Sequence, residues 1–145
     1  GFICANAGID SSNIPGEDNV CLLPSQPNES ARRIRDAIIK STEVNHIAVI
    51  ISDTFGRPWR EGHLNFAIGT AGIKPLQDYR DTVDAVGKIM RVTMTATVDI
   101  VAAAADLVSG KATNTPVSIV RGLNYEPSGE GMEGLLRTAE KDMFR

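Results

Sequence analysis

Two aspartates, Asp10 and Asp53, stand where their carboxylates could hold a divalent metal ion. Each follows a short apolar stretch that is predicted as a β-strand, at residues 1–5 and 46–52. A helix predicted at residues 28–43 would join these strands into a βαβ unit, in which the two strands run parallel. Because neighbouring strands lie only about 4.8 Å apart, both carboxylates can reach one centre at the carboxyl edge of the sheet.

The residues beside these aspartates favour a hard cation. Two close carboxylates repel each other unless one is protonated or a cation lies between them. Thr54 adds a hydroxyl and Asn13 adds an amide, and such oxygen donors suit Mg²⁺ or Mn²⁺. The structural alternative is that an aspartate after a strand only caps a loop in an Asx-turn. The residues alone leave both interpretations open.

The remaining pattern predicts a mixed α/β fold in a single domain spanning residues 1–145. The sequence Asp53 to Pro58 is expected to end the second strand sharply. Further along the chain we predict, in order, a strand or bulged segment at 65–73, a hairpin formed by 82–85 and 89–95, an Ala-rich helix at 97–108, a strand at 117–120 and a short helix near 132–138.

Composition excludes several classes of protein. The chain has 145 residues, of which 42% are hydrophobic and 23% charged, and its net charge is −3. Because it has no basic stripe, we expect no nucleic-acid partner. We expect no membrane partner either, because the apolar runs are too short to cross a bilayer. Cys4 and Cys21 are interpreted as small buried reduced thiols of a cytoplasmic protein. Gly1 is not an initiator methionine, so we expect a processed chain or a part of a longer polypeptide.

Several sequence motifs extend these predictions, because in order and spacing they resemble the coenzyme F420-0:γ-glutamyl ligase family. They are Ala7 to Asn13 (AGIDSSN), Asp53 to Arg60 (DTFGRPWR), Ala67 to Ile73 (AIGTAGI), Ala102 to Asp106, Ser109 to Thr113 (SGKAT), Val117 to Gly122 and Glu140 to Arg145.

The resemblance implies a GTP-dependent ligase that joins L-glutamate to coenzyme F420-0 through γ-glutamyl amide bonds and an acyl phosphate. It implies Mg²⁺ or Mn²⁺, with K⁺ as a further cation, and a family-specific fold that forms an intertwined homodimer. Asp10 and Asp53 then match catalytic metal ligands, Thr54 matches a third metal ligand, and Asn13 matches a nucleotide contact. The GTP-binding segment would be the loop at residues 108–114, which contains Ser109, Gly110, Lys111, Ala112, Thr113 and Asn114.

The chain also departs from this family. Ile100 stands where the family has an acidic residue, and the resemblance corresponds to the C-terminal, larger part of the family's length. The family's N-terminal portion, with further nucleotide contacts, has no counterpart in this sequence. Two alternatives therefore stay open, a non-catalytic fragment that folds and dimerises and a relative that uses a different acceptor.

Cationic residues near these motifs are further candidates. Arg57 and Arg60 flank the proposed metal loop, and their planar guanidinium groups suit phosphate or carboxylate recognition, with Arg57 assigned to the catalytic set. The structural alternative for each is a solvated salt bridge. The sequence around Lys111 is not a Walker loop, because it lacks the required upstream glycine and follows a helix rather than a strand. Gly110 could simply end that helix in a left-handed conformation.

Overall fold

The computed structural model describes residues 8–57 and 59–143, and it has a mixed α/β fold. The elements, in chain order, are β1 (Ile9–Asp10), β2 (Cys21–Leu22), α1 (Pro27–Ser41), β3 (Val49–Arg57), β4 (Arg60–Ala71), β5 (Leu76–Asp78), β6 (Met94–Ala96) and α2 (Thr97–Ser109), followed by two 3₁₀ turns, Met132–Gly134 and Ala139–Lys141.

The centre of the fold is the antiparallel hairpin of β3 and β4. Val49 pairs with Ala71 at one end, and Arg57 pairs with Arg60 at the other. The predicted break at residues 53–58 is therefore wrong for residues 53–57, because β3 runs on to Arg57. This extension is stabilised by cross-strand pairing and by the edge-to-face contact of Phe55 with Phe66, whose ring centroids are 6.0 Å apart.

The predicted βαβ unit is not shown. The first of its strands, at residues 1–5, lies outside the described residues, and β1 pairs antiparallel with β2. Among the described residues, β3 pairs only with β4, and that pairing is antiparallel. The predicted helix between the strands is confirmed as α1, with Pro27 in its first turn.

The two long helices pack on opposite faces of the hairpin. Gly69 pairs with Ile51, and a side chain at Gly69 would lie 2.4 Å from the Pro27 carbonyl carbon of α1. Ile50, the neighbour of Ile51 in β3, packs instead against the buried cluster that contains Val98 of α2. Because neighbouring residues of a strand point to opposite faces, α1 and α2 cover different faces.

The core lies on the α2 side of the hairpin. Its buried cluster consists of Ala67, Ile73, Val98 and Met132. A bulge in β4 accompanies this packing, because Ile51 pairs with Gly69 while Ser52 pairs with Ala67. This confirms the bulged strand that the two glycines of the 65–73 segment predicted.

The remaining predictions from the sequence are partly confirmed and partly wrong. The Ala-rich helix is confirmed as α2. The hairpin predicted at 82–85 and 89–95 is shown only in part, because these segments meet in one isolated Val83–Ile89 bridge and the paired strands are the flanking β5 and β6. The strand predicted at 117–120 is wrong, because that segment pairs with no described strand, and the helix predicted near 132–138 is only a 3₁₀ turn.

Cys21 is exposed rather than buried, and Cys4 lies outside the described residues. No helix in the described ranges is long and apolar enough to cross a bilayer.

Candidate active site

A cleft of about 1060 Å³ runs along the unpaired edge of β3. One wall is formed by Ile34 and Ile38 of α1, and another by Val101 and Ala105 of α2. Because the cleft follows the strand edge, residues from both faces of β3 line it, from residue 49 to residue 54. The loop that follows α2 closes the far side. An apolar groove with polar groups at one end has the general form of a ligand site.

Hydrogen bonds connect distant segments at the polar end of this cleft. Lys111 Nζ donates to Thr54 Oγ1 at 2.7 Å, and Thr54 Oγ1 donates to Asn65 Oδ1 at 2.8 Å. Asn13 Nδ2 donates to the Lys111 carbonyl oxygen at 3.0 Å. The loop, the hairpin and the segment after α2 thus meet in one network, which brings Asn13, Thr54 and Lys111 together.

Asp10 lies in a turn of its own and is not among the residues that line the cleft. Its Oδ1 accepts hydrogen bonds from the Ser12 backbone N–H at 2.8 Å and the Ser12 hydroxyl at 2.7 Å. These bonds, with a smaller contribution from the positive charge of Lys111, hold the pKa of the Asp10 carboxyl below its usual value. The Asx-turn that the residues left open is therefore present. It also keeps the carboxylate ionised, as a metal ligand must be.

Asp53 and Thr54 present their side chains to opposite faces of β3. Thr54 pairs with Asn65 on the α2 face, where Lys111 reaches it, whereas Asp53 pairs with Phe66 on the other face. Both residues line the cleft because it follows the open strand edge. Of the three predicted metal ligands, Thr54 and Asp53 line the cleft and Thr54 contacts Lys111, whereas Asp10 is not among the cleft-lining residues.

The predicted nucleotide loop begins where α2 ends. Gly110 has a positive φ of 63° with an extended ψ of 169°, and its N–H bonds to the Asp106 carbonyl. Gly110 therefore does end the helix, although its ψ is not left-handed helical. Thr113 Oγ1 donates to the Ser109 carbonyl and closes the loop on itself. Within this loop, Ser109, Gly110, Lys111 and Asn114 line the cleft, whereas Ala112 and Thr113 are exposed without lining it.

The arginines lie away from the described cleft lining. Arg57 donates through Nη2 to the Glu61 carbonyl at 2.8 Å, within the turn of the hairpin. Its Nε is buried and has no hydrogen-bond acceptor among the described residues. Arg60 is exposed at the start of β4. Their assignment to phosphate or carboxylate recognition stays a prediction.

The sequence matches a known protein family. A sequence profile described as F420-0:Gamma-glutamyl ligase matches residues 1–122. The chain belongs to the F420-0:gamma-glutamyl ligase family. It is 43% identical over 147 residues to the coenzyme F420:L-glutamate ligase of Methanocaldococcus jannaschii and 41% identical over 152 residues to that of Methanopyrus kandleri. These matches cover 100% of the chain but only 57% and 59% of the two relatives, so it spans less than two thirds of their length.

Two polar residues with structural contacts, one in the candidate site and one beside the bulge of β4, were not found from the sequence. Asn65 fixes the Thr54 hydroxyl, and Asp99 accepts the Ala67 backbone N–H at 3.0 Å beside the bulge of β4. Burial raises the pKa of the Asp99 carboxyl, and the Ala67 bond opposes that shift. A polar residue entering the apolar 65–73 segment was the available signal for Asn65. Its partner depended on the strand register.

The donor chemistry of this candidate site fits a hard divalent ion. Within residues 8–57 and 59–143, no three His, Cys, Asp or Glu side chains cluster as a preformed metal cage. The Asp10 carboxylate, the Thr54 hydroxyl and the Asn13 amide oxygen are hard donors, and the Lys111 ammonium lies 2.7 Å from the Thr54 hydroxyl. Mg²⁺ is commonly held by one or two carboxylates with waters and phosphate oxygens completing its shell, which this arrangement allows.

Proposed function

We propose that this cleft serves a GTP- and divalent-metal-dependent ligase that joins L-glutamate to coenzyme F420-0 through a γ-glutamyl amide. The observation that carries the proposal is the convergence of Asn13, Thr54 and Lys111 through hydrogen bonds of 2.7–3.0 Å. The names of the relatives supply the substrates, because each is a coenzyme F420:L-glutamate ligase.

The reaction needs an activated carboxylate, since a free carboxylate does not react with an amine. In our proposal the acceptor carboxylate attacks the γ-phosphorus of GTP, which forms an acyl phosphate and releases GDP. The glutamate amine then attacks the acyl carbon and releases inorganic phosphate. The protein's part in such chemistry is to position the groups and neutralise phosphate charge.

Each residue at the polar end has a proposed task in that scheme. Asp10, Asp53 and Thr54 would hold the metal, which would neutralise negative charge on the phosphate. Asn13 and the loop at 109–114 contact the nucleotide, where the Lys111 ammonium offers a point charge to phosphate. The apolar walls of the cleft, including Val101 and Ala105, exclude water from the acyl phosphate.

We further propose that the whole protein is a homodimer, as the family resemblance implies. The exposed apolar residues near the cleft are consistent with a covered surface, since Leu107, Val117 and Ile119 are 87%, 76% and 75% exposed. Sedimentation equilibrium would show a dimer mass, and a monomer mass at micromolar concentration would contradict this part.

The direct test is product formation. The chain is incubated with coenzyme F420-0, L-glutamate, GTP and Mn²⁺, and the products are analysed by mass spectrometry. We expect a product heavier by one glutamate residue, with GDP and phosphate formed in equal amounts. A full-length relative serves as the positive control. Absence of the product from a folded protein of full length would reject the function. Equal turnover with ATP in place of GTP would reject the GTP assignment.

A further inference from the structure

The Lys111 ammonium and the Lys111 backbone are held by different contacts. Its Nζ lies 2.7 Å from Thr54 Oγ1, and its positive charge acts on Asp10. The backbone of Lys111 is fixed through its carbonyl oxygen, which accepts from Asn13 Nδ2 at 3.0 Å. Because the residue is exposed, the ammonium can leave Thr54 without disturbing the loop.

The hydrogen bond between Thr54 and Asn65 determines what Thr54 can offer. A hydroxyl has one hydrogen and two lone pairs, and Asn65 Oδ1 accepts the hydrogen at 2.8 Å. The lone pairs of Thr54 therefore face a cation, which in this structure is the ammonium of Lys111. A divalent ion would use the same oxygen. A metal ion and an ammonium so close together would also repel each other.

We propose that Lys111 is an internal placeholder for the metal, and that binding of the metal with the nucleotide moves its ammonium from Thr54 to a phosphate oxygen. This inference rests on the proposed metal site of Asp10 and Thr54. The exchange keeps one positive charge at the Thr54 hydroxyl when the site holds no metal. It also supplies a cation to the phosphate when metal and nucleotide arrive together.

The placeholder role predicts that removing the Lys111 ammonium has opposite effects on metal affinity without and with nucleotide. A lysine that only binds phosphate does not predict this. Without nucleotide, the ammonium competes with the metal, so its removal should strengthen metal binding. With nucleotide present, the ammonium binds phosphate and supports the complex, so its removal should weaken metal binding. A lysine that only contacts phosphate would leave the affinity for metal alone unchanged.

The test measures free Mn²⁺ by electron paramagnetic resonance during titration of the full chain, without nucleotide. We expect Lys111→Met to bind Mn²⁺ about three- to tenfold more tightly than the wild type, the size of one competing charge near the surface. Lys111→Gln provides a second, polar replacement. Lys40→Met, at the exposed end of α1, removes a charge far along the chain and should leave the affinity unchanged.

The same titration is repeated with a non-hydrolysable GTP analogue, and there Lys111→Met should bind Mn²⁺ more weakly than the wild type. Unchanged or weaker Mn²⁺ binding by both Lys111 variants in the absence of nucleotide would overturn the placeholder role. Failure of the metal site itself is distinguished by Asp10→Asn. If that variant and the wild type bind Mn²⁺ equally, the proposed function loses its metal site.

Discussion

The Lys111 ammonium lies 2.7 Å from the Thr54 hydroxyl, although 57 positions separate the two residues in the chain. This contact joins the end of α2 to the middle of β3 at the polar end of the cleft. It places a loop expected to contact nucleotide beside a residue expected to bind metal. The proposed chemistry needs these two functions at the same place.

Replacing Thr54 tests this contact directly. Thr54→Val removes the oxygen shared by Lys111 and Asn65 but keeps the shape of the side chain. We expect the affinity for GTP with Mn²⁺ to fall about tenfold, the loss that one hydrogen bond to a charged group accounts for. Isothermal titration calorimetry measures it. Thr54→Ser keeps the hydroxyl and should bind within about twofold of the wild type, so an equal loss in both variants would rule out the hydroxyl as the cause.

Replacing Asp99 separates its acceptor from its charge. Asp99→Ala leaves the Ala67 N–H unpaired in a position that is only 1% exposed, so the free energy of unfolding should fall by about 1–3 kcal/mol. Asp99→Asn keeps an acceptor oxygen and removes the charge whose burial raises the pKa of this carboxyl. Urea unfolding at pH 7 should place Asp99→Asn above Asp99→Ala in stability.

The pH dependence of stability in the wild type and in Asp99→Asn follows from the raised pKa of the Asp99 carboxyl. A raised carboxyl pKa means that ionisation costs more in the folded state, so the wild type gains stability as the pH falls through that pKa. The Asn variant does not titrate. Equal stability of the Asn and Ala variants at pH 7 would show that the Ala67 bond has no part in the fold.

Gly69 is expected to be intolerant of a side chain. An added Cβ would lie 2.4 Å from the Pro27 carbonyl carbon and 2.5 Å from its oxygen. Gly69→Ala should push α1 away from β4 and lower the free energy of unfolding by about 1–3 kcal/mol. Gly56→Ala is the matched control in the same hairpin, because nothing lies within 4 Å of its Cβ position. Thermal denaturation compares the two, and similar melting temperatures would contradict the close packing of α1.

The Asp78–Arg80 pair should be visible in an acid titration. Side-chain and backbone hydrogen bonds from Arg80 lower the pKa of Asp78 from 3.8 to about 2. Because the folded pKa is depressed, the pair stabilises the fold above the unfolded pKa, and this contribution is lost as the pH falls toward about 2. In carboxyl NMR titrations, Arg80→Met should return the Asp78 pKa toward 3.8. An unchanged midpoint would mean that Arg80 does not hold this carboxylate in solution.

Local pattern was enough to predict the elements whose signal is local. The helical spacing of apolar residues predicted α1, and the alanine content predicted α2, to within a few residues. The sequence singles out Asn13, Thr54 and Lys111, and the structure brings these three residues into one hydrogen-bonded network, while their roles stay predictions. The family resemblance contributed these residues as much as the spacing did.

What depends on strand pairing could not be predicted. Asp53 looked like a strand end because a charged residue followed an apolar run, yet pairing with Phe66 carries β3 past it. The partner of Asn65 became visible only with the register that places it opposite Thr54. Residues 117–120 have the composition of a strand, but composition does not provide a partner strand, and they remain unpaired among the described elements.

The measurement that tests the central claim most directly is calorimetric titration of the full chain with GTP in the presence of Mn²⁺, for the wild type and Asp10→Asn. The claim predicts saturable binding by the wild type and at least about a tenfold weaker affinity in the variant, because the carboxylate that attracts the ion is lost. The Asp10→Asn melting temperature controls for folding, since the side chain is exposed. Equal affinities in two folded proteins would contradict a metal–nucleotide site at Asp10.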